Sequence, residues 1–586
     1  MTLSNRTRDI LLLLGLCFLC FFLRLGAIGL FDFNEGFYTQ VSREMVLRND
    51  FITPRVNGVY FFDKPPLALW CTALSFKVFG FSEFAARLPV AIAATLLVLL
   101  TYWFGAKFFN RRAGLFAGAM VALNPMLVGT ARQMTMDIHQ SLWFAVAMVT
   151  FFLGYTATSK RDKLWYYAFW ASCGMAFLAK SAPGLFPIVV CFVFLLFQER
   201  WQIRPIMRRI WEAKPLPGLL LLLAVVLPWH YLAWRASGPI FYEEYWLLHH
   251  VKLLSGKDFN HAQPIWFYIP MLLGGFFPWS IFLPWALKRP KEEVTDQAII
   301  ARRYVLTWGI VVFAIFTIMK SKLISYLLPM YPAAALLIGD WLDRVLRTED
   351  EKAARGLKFG ALLIVVAGFL GLAAAQFYSH KALSNEHMAR DLAREFPTPV
   401  WNWAVNSLTL GALGGGIAGT LFWYRKREAG VWALFGTMTV FIGLAVTEGV
   451  SAMEATKMAP LQDLARELGR HLFEGKPVAI HIGGPRRPSV FFYLPDSAFM
   501  TTMLPTSPTD DGLVLERGEP EPIIAFLNTH EGAYVLTDTE RADVLMAAVK
   551  GLTPEKRNAQ WVLLSKYRVM SDSKQPQTPA PGGAKP

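Results

Sequence analysis

The sequence predicts a polytopic α-helical membrane protein with an α/β domain at its C-terminal end, and three observations carry that prediction. Of its 586 residues 54% are hydrophobic and only 17% charged, and the mean hydropathy is +0.36. Apolar runs close to the length of a bilayer-crossing helix recur as far as about residue 450. From residue 451 the pattern turns to short β runs and amphipathic helices.

The first apolar run, from Ile10, is too long for a signal-peptide core and has no convincing small-residue cleavage site, so it is expected to be a retained span. Thirteen spans follow from the hydropathy: 9–29, 87–106, 112–131, 136–157, 164–180, 183–198, 215–235, 264–286, 304–320, 322–340, 357–377, 401–424 and 430–450. Residues 65–81 are left out of this count as an interfacial segment, because they open on two prolines and contain Lys77. That choice places Lys107–Arg112, Lys160–Lys163, Arg200–Lys214, Lys288–Arg303, Asp340–Lys358 and Arg425–Arg427 on the cytoplasmic side, as the positive-inside rule requires. The formal charge of +15 is therefore a topology signal, and nucleic-acid binding is not expected. The five cysteines lie in apolar surroundings and imply neither a disulfide framework nor a zinc-cysteine site.

The outer loop 31–86 is the first long polar interruption, and it holds Asp32, Asn34, Glu35, Asp63 and Lys64. Phe37, Tyr38, Val41, Met45 and Val46 recur at spacings near three and four, the period of a helix lying on the membrane with its apolar face down. The Lys-Pro-Pro turn brings Asp63 and Lys64 back toward that surface. Further outer loops contribute Arg132, Asp137 and His139, then Lys180, then Glu243 to His261, then Lys320, Lys322 and Tyr326. Lysines on the outer side run against the positive-inside bias and invite an anionic partner such as a phosphate. Each has an ordinary explanation too: Lys180 and Lys320 can snorkel to lipid headgroups, and Asp137 can cap its helix.

In the C-terminal part, Val478–Ile482 and Ala533–Leu536 read as strands, and Leu461–Leu472 and Arg541–Val549 as amphipathic helices. The domain is expected over 451–570, on the periplasmic side by the odd span count, with a Pro- and Gly-rich disordered tail over 571–586. The segment IGGPRR at 482–487 does not have the spacing of a phosphate loop.

An acidic residue before a helix containing SREM, then FDKPPL, then FGFSEFAARLP, resembles the membrane glycosyltransferases of the protein O-mannosyltransferase and lipid A aminoarabinose transferase class. The resemblance covers residues 1–450 in motif order. It implies a GT-C fold and transfer of a sugar, with aminoarabinose the family-based choice, from a polyprenyl phosphate such as undecaprenyl phosphate. The acceptor would be lipid A or another lipid or glycan at the periplasmic face of the inner membrane. Carried over residue by residue, the acid–base or acceptor-orienting charge falls to Glu35, Asp32 or Asp137, or else the chemistry has changed, because the family's aspartate is Asn34 here and an amide has no titratable carboxylate. An arginine often found three residues later in the family is Phe37. Lys64, Lys180, Lys322 and Tyr326 match positions that would hold the lipid phosphate, and Asp63 with His261 would bind a divalent metal, Zn²⁺ being the first choice. Two other readings compete. A transporter or flippase of lipid-linked sugars predicts charges near the bilayer midplane, for which Arg24 is the plainest candidate, and a non-catalytic homologue is made credible by Asn34.

Overall fold

The computed structural model describes residues 4–31, 34–56, 58–252, 263–288, 295–348, 351–383, 398–453, 459–481, 492–493, 514–516, 521–557 and 561–566. The chain divides into two compact units, Met1–Thr456 and Lys457–Pro586, a boundary six residues beyond the expected one.

Helices occupy all thirteen predicted positions, but their lengths differ from simple spans. Glu83–Phe108, Asp137–Thr156, Pro215–Ser237, Asp296–Ile318, Ala354–Ala374, Val405–Trp423 and Arg427–Gly449 are long and apolar enough to cross a membrane. Among the described residues the number of such helices is therefore seven, or up to nine if each bent pair counts as one span. The bent pairs are Arg111–Ala122 with Pro125–Ala131, turned by 57°, and Ile265–Gly275 with Trp279–Ala286, turned by 109°. The second turn interrupts what the hydropathy presents as one run, because Pro278 and two glycines at 274–275 sit in its middle. Leu67–Phe79, the segment left out of the span count, is a helix of 13 residues. At 1.5 Å per residue it reaches only about 20 Å, short of a bilayer core.

The loops assigned to the cytoplasm bind one another. Arg111 holds Asp9 through two bonds of 2.7 Å, and Tyr102 adds a third at 3.1 Å. Asp343 accepts from Arg112 at 2.7 Å, Arg347 at 2.7 Å and Asn110 at 2.6 Å, while Asp340 joins Arg302 and Arg344 at 3.0 Å each. Lys163 reaches Glu212 at 3.0 Å. The basic loops thus neutralise acids on neighbouring helix ends as well as marking a side of the membrane.

The second unit is a sheet with helices against it. Its strands are numbered after the short hairpin β1 (Arg55–Val56) and β2 (Val59–Tyr60): β3 (Val478–His481), β4 (Val514–Glu516), β5 (Tyr534–Asp538), β6 (Leu552–Arg557) and β7 (Trp561–Lys566). Their order is β4-β3-β5-β7-β6, with β3 parallel to β4 and β5, and β7 antiparallel to β5 and β6. Helix Ala459–Phe473 covers one face through Leu464, Ala465 and Leu468, which meet Val478, Ile480, Leu536 and Leu563. Helices Glu521–Thr529 and Thr539–Ala548 complete a second apolar layer through Ile523, Phe526, Leu527, Ala542 and Leu545. Two predicted strands and two predicted helices fall where expected. The edge strand β6 was hidden because five of its six residues are exposed and carry no apolar alternation. The segment 482–487 and the tail from 571 lie outside the described residues.

Candidate active site

The helix after the first span, Asn34–Leu47, is not a surface helix with one wet face. Gln40, Arg43 and Glu44 are buried along with Tyr38, Val41 and Met45. Its polar side is answered by protein: Glu44 accepts the backbone N–H of Gly58 at 3.1 Å, and the Arg43 guanidinium stands 5.5 Å from the Phe81 ring centre. Periodicity locates such a helix but does not tell a lipid face from a protein face.

At its first turn Glu35 is fully engaged. Oε1 accepts from Arg87 Nε at 2.7 Å and Met134 N at 2.9 Å; Oε2 accepts from Arg87 Nη2 at 2.9 Å and Phe31 N at 2.8 Å. Those four bonds use the four acceptor positions of a carboxylate. Arg87 spends its remaining donors on the carbonyls of Leu25, Ile28 and Gly29 at 2.7–3.0 Å. The expectation that Glu35 acts as the acid–base group is corrected by this geometry: a base must have a lone pair for the incoming proton, and Glu35 instead clamps four chain segments together. Asn34 beside it is exposed. Sequence reading quoted Arg87 inside FGFSEFAARLP without singling it out, because nothing in a linear motif tells that it reaches back 52 residues.

Five other predicted residues, Asp137, Lys180, Asp63, Lys64 and Tyr326, fall into one group. Asp137 starts helix Asp137–Thr156 and Lys180 ends helix Trp165–Lys180, and their side chains form an ion pair, each less than one-fifth exposed. The Lys180 ammonium also lies 4.3 Å from the centre of the Tyr326 ring, a cation–π contact. Asp63 and Lys64 pair with each other at 2.7 Å, and the Tyr326 phenol lies within electrostatic reach of Asp137, Lys64 and Asp63. Tyr38 joins the same group: burial pushes its phenol well above the usual tyrosine range, with Asp63, Asp137 and Tyr326 adding to the shift. It therefore stays protonated and offers a hydrogen-bond donor near two carboxylates. Sequence reading treated Tyr38 only as part of an apolar stripe.

Glu35 positions this group indirectly, since the Met134 N–H it holds lies three residues before Asp137. Beyond Lys180, Ser181 has its Oγ 3.0 Å from the Tyr245 hydroxyl, which in turn is 3.2 Å from His230 Nε2. That buried chain fixes the turn leaving Lys180, where Ser181 adopts φ +58°.

Lys322 has a different immediate task. It is 4% exposed, and its ammonium donates to the carbonyls of Gln263, at 3.2 Å, and Met319. Tyr268 donates to the carbonyl of Leu323 at 3.0 Å, so the segment before Tyr326 is tied down on both sides. The predicted metal ligand His261 lies outside the described residues. Arg24, the residue singled out for the transporter reading, donates to the Thr447 carbonyl at 2.7 Å and the Ser451 hydroxyl at 2.5 Å.

Both the sequence and the fold resemble those of known membrane glycosyltransferases. The dolichyl-phosphate-mannose-protein mannosyltransferase family matches residues 63–234, the stretch from Asp63 past Asp137 and Lys180. An undecaprenyl phosphate-alpha-4-amino-4-deoxy-L-arabinose arabinosyl transferase of Edwardsiella ictaluri is 28% identical over 70% of this chain and 68% of its own length. The protein of that name from Aeromonas hydrophila is 30% identical over 61% of this chain and 65% of its own. Among solved structures, ArnT from Cupriavidus metallidurans bound to undecaprenyl phosphate superposes with a TM-score of 0.76 at 21% identity, covering 97% of this chain and 100% of that one. The chain is a glycosyltransferase: it is similar in sequence to these aminoarabinose transferases and shares the fold of ArnT.

Proposed function

We propose that the enzyme transfers an amino sugar, aminoarabinose or a close relative, from undecaprenyl phosphate to lipid A or a similar phosphorylated lipid at the periplasmic face of the inner membrane. The observation that carries this reading is the convergence of two lysine–carboxylate pairs, Lys180 with Asp137 and Lys64 with Asp63, around Tyr326. A polyprenyl-phosphate sugar is already activated, and what its cleavage needs is neutralisation of the departing phosphate. Each ammonium rests on a carboxylate in this structure. A donor phosphate competes for the ammonium through charge-assisted bonds, and Lys180 shifting toward phosphate frees the Asp137 carboxylate to orient or deprotonate the acceptor. Tyr38, kept neutral, supplies a further donor to the same phosphate. If the acceptor is itself a phosphate it is a nucleophile at neutral pH, so no strong base is required and Asn34 is tolerated.

A divalent ion on Asp63 and His261 belongs to the same proposal. Asp63 fits in part: its carboxylate is half-buried beside Tyr326, and its partner Lys64 could be released to the phosphate. A bound ion would supply Lewis-acid stabilisation of the leaving oxygen. The names of the relatives and the shared fold support this choice of donor. The test is a turnover assay in proteoliposomes with undecaprenyl-phosphate aminoarabinose and lipid A. Covalent aminoarabinosyl lipid A is expected; movement of donor across the bilayer without product would overturn the reading in favour of a flippase.

A further inference from the structure

In the second unit, helix Ala459–Phe473 places Glu467 and His471 four residues apart, on one face of its last turns. The edge strand β6 brings Glu555 against them. His471 is 4% exposed and stacks on the Tyr534 ring with 3.7 Å between centres and 14° between planes. That stack fixes where Nε2 points. It lies 3.3 Å from Glu555 Oε1 and 3.9 Å from Glu467 Oε1, yet among the described residues it makes no hydrogen bond. A buried imidazole nitrogen aimed between two carboxylates, close to both but without a well-directed hydrogen bond to either, has the setting of a ligand to a cation placed among the three.

We propose that His471, Glu467 and Glu555 bind a divalent transition-metal ion, with Zn²⁺ the preferred occupant. One ligand atom from each residue lies within 4.8 Å of the other two. Tetrahedral ligation at bond lengths of about 2.0–2.1 Å puts ligand atoms about 3.3–3.4 Å apart. The His471–Glu555 separation of 3.3 Å already meets that, and Glu467 needs only a side-chain adjustment from 3.9 Å. Three protein ligands leave a fourth position for water or for a group brought by a substrate. Imidazole with two carboxylates suits Zn²⁺ ahead of Mg²⁺ or Ca²⁺, which prefer all-oxygen shells.

The surroundings allow the ion. Arg470 pairs with Glu467, but its side chain is 61% exposed and can return to water at small cost. Metal on Nε2 puts the remaining proton on Nδ1, where Glu474 Oε2 lies 3.6 Å away and can accept it. Lys476, now 3.3 Å from Nδ1, keeps its 2.8 Å pair with Glu474. The ion would tie the last turns of the helix to the exposed strand β6, a strand whose first residue alone is buried.

The experiment uses the full-length protein in detergent, stripped with chelator and then titrated with Zn²⁺. It is run in an Asp63→Ala background so that any ion at the glycosyl-transfer site does not enter the count. About one equivalent of tightly bound Zn²⁺ is expected, with X-ray absorption showing one imidazole and oxygen neighbours. Glu555→Gln and Glu467→Gln should each weaken binding at least about tenfold, and His471→Ala should abolish it. Glu555 sits partly exposed on an edge strand, so Glu555→Gln leaves the fold intact even where His471→Ala does not. Absence of a tight equivalent in the Asp63→Ala protein, or unchanged affinity in a folded Glu555→Gln protein, overturns the site.

Discussion

Glu35 and Arg87 meet as a two-point ion pair, Nε to Oε1 at 2.7 Å and Nη2 to Oε2 at 2.9 Å, with neither side chain more than 2% exposed. The pair holds residues 25–29, 31 and 134 through backbone groups, so it sets the frame in which Asp137 sits. Removing one partner leaves an uncompensated buried charge, a loss of about 3–5 kcal/mol. Arg87→Ala and Glu35→Ala should each lower the thermal stability of the detergent-solubilised enzyme, and the double variant should be hardly worse than either single one. Arg87→Lys should not rescue, since an ammonium has three donors where the guanidinium uses five. A Glu35→Gln enzyme with native stability and no turnover would contradict this positioning role and restore Glu35 as the base.

Asp137 and Lys180 are expected to behave in the opposite way. Their pair is less deeply buried than that of Glu35 and Arg87, and on the proposed reading its members act on substrate. Asp137→Asn should reduce kcat by ~10²-fold or more with little change in melting temperature. Lys180→Met should raise the donor KM by about tenfold or more, the scale of one charge-assisted bond. Steady-state kinetics with varied donor separates the two effects. Full turnover in Asp137→Asn would remove it from the acid–base role.

How much of this was legible in the sequence follows from the range of each interaction. The helices were legible because hydropathy and basic loops are local signals, and every predicted span holds a helix. Asp137, Lys180 and Lys64 stood out because charge on the outer side is unusual, and Tyr326 because it shares a loop with two such lysines. The Glu35–Arg87 clamp was not, since its partners stand 52 residues apart and a glutamate one residue from the expected acid looks like its replacement. Tyr38 was missed because an aromatic at helical spacing reads as packing, and its neighbours Asp63 and Asp137 come from other loops. The sharp turn near Pro278 was missed because hydropathy averages over a bend.

Topology can be checked without activity. Val59, on the exposed side of the β1–β2 hairpin, and Lys160, between two helices, are expected on opposite sides of the membrane. In a background lacking Cys71, Val59→Cys should react with a membrane-impermeant thiol reagent applied to the periplasmic side, and Lys160→Cys should react only after permeabilisation. The remaining cysteines are buried and should stay silent. Labelling of both positions from one side would require an even number of crossings between them and would break the assignment.

Asp63 and Lys64 allow the phosphate and the metal to be told apart. Lys64 is held by Asp63 at 2.7 Å in this structure, and two outcomes follow from cutting that bond. If Asp63 serves only to hold the ammonium, Asp63→Ala releases Lys64 to the donor phosphate and donor binding tightens. If Asp63 helps to carry a divalent ion, Asp63→Ala empties that position and donor binding weakens. The expected result is weakening by about tenfold or more, a chelator-sensitive wild type, and an Asp63→Ala/His261→Ala double variant no worse than either single one, because both losses empty one site. Lys64→Ala should weaken donor binding with or without chelator, since its contact with phosphate does not pass through the ion. The measurement is equilibrium binding of undecaprenyl-phosphate aminoarabinose in the absence of acceptor, not metal content, so an ion elsewhere in the chain does not enter it. Donor binding indifferent to chelator, together with tighter binding in Asp63→Ala, would leave the lysines as the whole of the phosphate site.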